Sequence, residues 1–173
     1  MKILDRGRAY WYSWCGLTIV TGILAGFMIS QSLMLGPFFT WFVEAGKTDL
    51  LRDTYSLYRE SGTFALRYSL YYLPILLSLI FGGIWTVLAF LRKTGRIIAI
   101  IAGLSTYWVS ALFIGTGFMS VEEATMKGLA DDATFQRFAS LNVPLHSTFA
   151  IIYTVSLVLL LVVAIRRMGI SAS

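Results

Sequence analysis

The chain has 173 residues, of which 57% are hydrophobic and 13% are charged, with a mean hydropathy of +0.75. An average soluble domain carries roughly 25% charged residues, so an ordinary soluble enzyme or binding domain is excluded at the outset. The net charge of +5 does not point to nucleic acid, because the excess Lys and Arg sit beside apolar runs. A single cysteine, Cys15, excludes an internal disulfide and a Cys-based metal centre within one chain.

Four apolar runs stand out: Leu17 to Leu35, Leu73 to Leu91, Ile97 to Met119 and Phe149 to Ile165. Each approaches the ~20 residues that a helix needs to cross a hydrocarbon core, and helices satisfy their own backbone there. The expected fold is all-α: one integral-membrane domain over 1–173, a four-helix up-down transmembrane bundle. Its spans are expected at about 12–36, 68–91, 96–119 and 143–165. The first run follows Lys2, Arg6 and Arg8 as in a signal peptide, but it is long and lacks a small-x-small cleavage site. It is read as a retained helix.

Gly36-Pro37 predicts an end or kink in the first helix, since proline cannot donate to the ladder. Between spans one and two, Leu50, Leu51, Thr54, Tyr55 and Tyr58 recur on one face, with Thr48 as a start and Gly62 as a stop. This predicts a short amphipathic helix on the membrane or over the bundle mouth. Between spans three and four, Ser120 with Glu123 predicts a capping box, and Gly128 a stop. A second short helix is expected over Ala133 to Leu141, with Pro144 in the first turn of span four.

The charges separate into two classes. Arg92, Lys93, Arg96, Arg166 and Arg167 face no acid, and the N-terminal tail has three cations against Asp5. The two longer loops hold six cations and eight acids. The positive-inside rule then places both termini in the cytoplasm, in the inner membrane if the source is bacterial. Tyr10, Trp11, Tyr12 and Trp14, then Phe38, Phe39, Trp41 and Phe42, then Tyr68, Tyr71 and Tyr72 mark interfaces.

Thr18, Gly22, Gly26 and Ser30 put a small residue at every fourth position of span one. Such a face suits close helix packing or a partner interface. Gln31, deep in the same span, is the intramembrane polar candidate. His146 is the only histidine and lies four residues after Asn142. With Glu122 or Glu123 it makes a candidate acid–base site on the outer side. One His and two adjacent Glu are too few for an ordinary metal site, and no metal or cofactor is expected. The spans contain no internal charge suited to a pump, proton-coupled transporter or voltage sensor.

The run Gly22-Ile-Leu-Ala-Gly26-Phe-Met-Ile-Ser30 through Gly36-Pro37, with Asn142-Val143-Pro144-Leu145-His146, resembles segments of the anthrone-oxygenase-like family of small four-span membrane proteins. That resemblance implies cofactor-free oxygenation of a polycyclic phenol, with Asn142 orienting substrate and His146 taking a phenolic proton. The segment around Asn142 opens span four here, whereas in the family it belongs near the end of span three. The family's later Trp-Asn-x-x-Arg pattern has no match. The leading expectation is a non-catalytic accessory subunit that contacts membrane lipids and other membrane subunits. The alternative is an enzyme or binder for a lipophilic small molecule.

Overall fold

In the computed structural model, residues 6–60, 62 and 64–171 are described, with the side chains of 55, 56, 59, 64, 65, 68 and 167–171 left aside. The charges at Lys2 and Asp5 and the side chains of Tyr55, Arg59, Tyr68 and Arg167, which the sequence singled out, lie outside the described residues. Among those described, the chain is helical without strands. Three helices are long and apolar enough to cross a membrane: Arg6–Glu44, Ser69–Leu91 and Asp132–Arg166. A bent pair, Arg96–Gly103 and Ser105–Gly115, meets at 44° and makes a fourth if counted as one span.

The first of these is α1 (Arg6–Ser30), a π segment (Gln31–Leu35) and α2 (Gly36–Glu44). Pro37 is the physical cause of the change. It has no N–H to give, and its ring crowds the carbonyl four residues back. The ladder widens, and the Gly36 N–H donates to the Gln31 carbonyl. The kink expected at Gly36-Pro37 is therefore a π segment placed one turn before the proline.

Next come α3 (Thr48–Glu60) and α4 (Phe64–Leu91), then α5 (Arg96–Ile98), a second π segment (Ala99–Gly103) and α6 (Ser105–Gly115). The third apolar run thus breaks at Leu104 and stops at Gly115, short of Met119. Gly117 takes a positive φ of 71°, a conformation suited to glycine, and starts α7 (Phe118–Met126). Ser120 lies inside α7 and donates back to the Gly117 carbonyl at 2.8 Å, so the predicted capping box is not formed. Gly128 does end α7, with φ +68°.

The last helix, α8 (Asp132–Ser171), runs through Pro144 without a separate short helix before it. Its start is fixed by Asp131, whose carboxylate accepts from the Thr134 N–H at 2.8 Å. This N-cap bond holds the Asp131 carboxyl below its ordinary pKa.

Two compact units share these helices. The first comprises Met1–Gly26, Leu73–Val109 and Ile151–Ser173. Its core is Tyr10, Leu17, Trp85, Ala89, Ala99, Ala102 and Leu160. The Trp14 indole donates to the Leu160 carbonyl at 3.2 Å. A buried hydroxyl chain joins α4, α6 and α8: Ser78 Oγ to Thr106 Oγ1 at 2.6 Å, and the Tyr153 hydroxyl donating to Thr106 Oγ1 at 3.2 Å. Such bonds compensate polar groups that lipid cannot satisfy.

The closest backbone approach in this unit is between Gly82 and Gly103. A Cβ on Gly82 would strike the Gly103 carbonyl oxygen, and one on Gly103 would strike Thr86 Oγ1. The small-residue face of α1 is used less. Thr18 and Gly22 are half-buried, whereas Gly26 and Ser30 are exposed and nothing lies within 4 Å of a Cβ on Gly26.

The second unit comprises Phe27–Tyr72 and Ser110–Ala150. Here Arg52 ties α3 down. It pairs with Asp49 at 3.0 Å, donates to the Ala130 carbonyl at 3.0 Å and lies over the Phe135 ring at 5.5 Å. Arg137 donates to the Thr116 carbonyl at 3.1 Å, closing the turn before α7. Phe118, Phe135, Phe138 and Phe149 supply the buried aromatic packing.

The Gly82–Gly103 approach sets a test. Gly82→Ala should lower stability by about 1–3 kcal/mol, as overpacking does. Gly26→Ala should not lower it and should raise it by up to about 1 kcal/mol, since a helix favours Ala over Gly where the added Cβ meets nothing. Thermal unfolding in mild detergent reads both, and equal midpoints would contradict the assigned contact.

Candidate functional site

A cavity of about 460 Å³ lies within the second unit. That is the size of a small-molecule site, commonly ~300–1,000 Å³. Its walls come from six stretches of chain. The π segment gives Gln31 and Leu35, α2 gives Phe39, and α3 gives Leu51, Thr54 and Tyr58. The start of α4 gives Arg67, Tyr71 and Tyr72, α7 gives Glu122, Thr125 and Met126, and α8 gives Phe138, Asn142 and His146. The α3 face predicted from Leu51, Thr54 and Tyr58 turns to this cavity, while Leu50 from the same predicted face is exposed.

Asn142 is almost fully buried, and its amide is occupied. Nδ2 donates to the Gly36 carbonyl at 3.0 Å and to Thr40 Oγ1 at 3.3 Å. A carbonyl can only accept, which fixes which way the amide points. The bond joins α8 to the helix just after the π segment. Nearby, Ser32 Oγ meets Ser147 Oγ at 2.7 Å, so Gln31 and His146 sit one residue from a second tie between the same two elements.

His146 is also buried, edge-on to Phe118 and Phe149 at 5.9 Å each. Its Nδ1 lies 2.7 Å from the Asn142 carbonyl. Because that oxygen only accepts, Nδ1 carries the proton. The neutral ring then presents Nε2 as an acceptor, and no hydrogen bond to Nε2 forms among the described residues.

Glu122 is half-buried in the cavity wall. Burial pushes its carboxyl from 4.5 up to about 7, since the charged form loses water without gaining a partner. Thr125 is a further wall residue whose hydroxyl donates to its own helix, at the Val121 carbonyl, 2.9 Å.

The candidate residues thus divide. Gln31, Glu122, Asn142 and His146 share one cavity, although they are far apart in sequence. Glu123 does not line it: this residue is exposed and bonded to Lys127. Gln31 makes no side-chain hydrogen bond among the described residues, so it is not the interhelical tie; Ser32 is. Tyr107 and Trp108, mid-span by sequence, are exposed and donate to the Leu79 and Ile100 carbonyls at 3.1 and 3.2 Å. Sequence reasoning missed Tyr71, Tyr72, Thr125 and Phe138 as members of a site. The signal available for Tyr71 and Tyr72 was their aromatic cluster at the start of span two, and for Phe138 its spacing from Phe135. Among the described residues, no group of three or more His, Cys, Asp or Glu could hold a metal ion.

Fold and cavity define a class: a small all-helical protein with three to four candidate membrane helices and an internal cavity with a partly polar wall. Comparison with protein-family models, curated proteins and solved structures returns no match.

Two outcomes follow from the geometry. Asn142→Ala strands the Gly36 carbonyl and Thr40 and should cost about 1–3 kcal/mol, read as a lower unfolding midpoint. Glu122 has the opposite pH sign to an ordinary paired carboxylate. Its folded pKa lies above its unfolded value, so its stabilising contribution is complete below about pH 4.5 and lost as pH rises through about 7. Glu122→Gln should flatten the fall in stability between pH 4.5 and 8. An unchanged pH profile would contradict the assigned burial.

Proposed function

We propose that this protein binds a lipophilic small molecule in the cavity of the second unit, with the polar end of the molecule against Gln31, Glu122, Asn142 and His146. The observation that carries this reading is the convergence of these four polar side chains on one cavity whose lining also includes the apolar Leu35, Phe39, Leu51, Met126 and Phe138 and the tyrosines Tyr58, Tyr71 and Tyr72. Binding sites are concave and mostly apolar, with a few placed polar groups. The π segment supports the same assignment, since such segments recur at functional sites. In this proposal the protein is an up-down four-helix transmembrane bundle with both termini in the cytoplasm. The cavity then opens toward the outer side, where a membrane-dissolved ligand enters.

The resemblance to the anthrone-oxygenase-like family extends the proposal to one chemistry. The candidate ligand on that resemblance is a phenol whose proton passes to His146 Nε2 and whose phenolate is then oxidised by dioxygen, the oxidant and oxygen source, with the second oxygen atom leaving as water. A docking role in a larger membrane complex is the second reading. What favours it is the exposure of Gly26 and Ser30, which leaves half of the small face of α1 open to another helix.

The test is displacement of a polarity-sensitive fluorescent lipophile from the full chain in detergent. Met126→Trp fills the cavity and should abolish the binding signal while the unfolding midpoint holds. His146→Ala should weaken binding about tenfold, the value of one hydrogen bond to a ligand in an apolar site. Unaltered binding in Met126→Trp would sink the assignment.

A further inference from the structure

The polar wall of the cavity has a chemical sign set by bonds inside the protein. Asn142 spends its amide donor on the Gly36 carbonyl and Thr40. His146 spends its Nδ1 proton on the Asn142 carbonyl. Thr125 spends its hydroxyl proton on the Val121 carbonyl. Each lines the cavity and has acceptor capacity left to offer: Asn142 Oδ1, His146 Nε2 and a lone pair of Thr125 Oγ1. Glu122 adds a carboxyl that burial displaces and that makes no ion pair among the described residues. A wall built this way selects ligands by what they donate.

We infer that the ligand is a lipophilic amine, held as its ammonium ion by Glu122 with His146 Nε2 and Asn142 Oδ1 as further acceptors. The inference rests on the binding reading above and specifies its ligand class. An ammonium group supplies several donors at once and cancels a carboxylate that has no cationic partner among the described residues. The aromatic lining adds to this, because ring faces attract cations, by ~0.5–2 kcal/mol when water is excluded. Arg67 is the one cation among the described lining residues. It is exposed to solvent, where its field is screened.

The other titratable groups around the cavity are His146 on α8, Tyr71 and Tyr72 on α4, and Tyr58 on α3. Beside Glu122 on α7, Glu123 is taken by Lys127, and on the facing helix α3, Asp49 is taken by Arg52. Glu122 is thus the carboxylate available to a ligand in the wall. Ammonium binding needs its ionised form. Binding should tighten about tenfold from pH 6 to pH 8, following ionisation near pH 7.

The experiment compares 4-phenylbutylamine, 4-phenylbutanol and 4-butylphenol as competitors of the same fluorescent lipophile on the full chain in detergent. The amine should displace it at least about tenfold more tightly than either hydroxyl compound at pH 8. That gap should close at pH 6 and in Glu122→Gln. The pH arm needs no variant, so the inference stays testable if Glu122→Gln fails to fold. Equal displacement by amine and alcohol, or tighter displacement by the phenol, would overturn the amine inference and leave the binding reading intact. Failure of all three to displace would overturn both.

Discussion

A polar side chain placed among apolar helices must find its partners inside the protein, and Asn142 is where this constraint acts most strongly in the second unit. Its amide reaches the Gly36 carbonyl and Thr40 from the opposite helix. That carbonyl opens α2, directly after the segment Gln31–Leu35 where the ladder is widened ahead of Pro37. Breaking it would leave a buried amide and its acceptors uncompensated, the costly side of the hydrogen-bond balance. The bond ties α8, which carries His146, to α2 at the edge of the cavity wall.

The same bond orders the chemistry. Asn142 fixes the α8 turn that carries His146, and its backbone carbonyl takes the His146 Nδ1 proton. One residue thus sets a helix register with its side chain and a tautomer with its main chain. Glu122 arrives from α7 with no such partner. The result is a patch in which Asn142, His146 and Thr125 spend their donors inside the protein and keep acceptors to offer, while Gln31 and Arg67 bring donors elsewhere in the lining. In the proposed function that surplus is what the ligand meets. A protein of this build has no need of charge in its spans, in keeping with their composition.

Much of the architecture was legible in the sequence. The apolar runs gave the helices, Gly36-Pro37 gave the disturbance in the first, and Gly128 gave the end of α7. Local rules failed where a competing bond won. Gly117, in a left-handed conformation, started α7 before Ser120 could cap it. Pro144 falls in the interior of α8 rather than in its first turn, since that helix already starts after Asp131. The small-residue spacing on α1 drew attention to Gly26, which touches nothing, while the tight approach falls at Gly82 and Gly103. Spacing along one helix does not say which face its neighbour takes.

The candidate site was legible residue by residue but not as a set. Gln31, Asn142, His146 and Glu122 each stood out as polar groups in or beside apolar runs. Their meeting depends on long-range packing, which one sequence does not encode locally. The division of labour between Glu122 and Glu123 was equally hidden, since adjacent positions on a helix point about 100° apart. The most direct test of the account uses the single histidine of the chain. Nitrogen NMR of the full chain labelled with 15N-histidine reports His146 alone. The account predicts a neutral ring with the proton on Nδ1 and an unprotonated Nε2 at pH 8. A proton on Nε2 there would contradict the acceptor wall on which the cavity's chemistry rests.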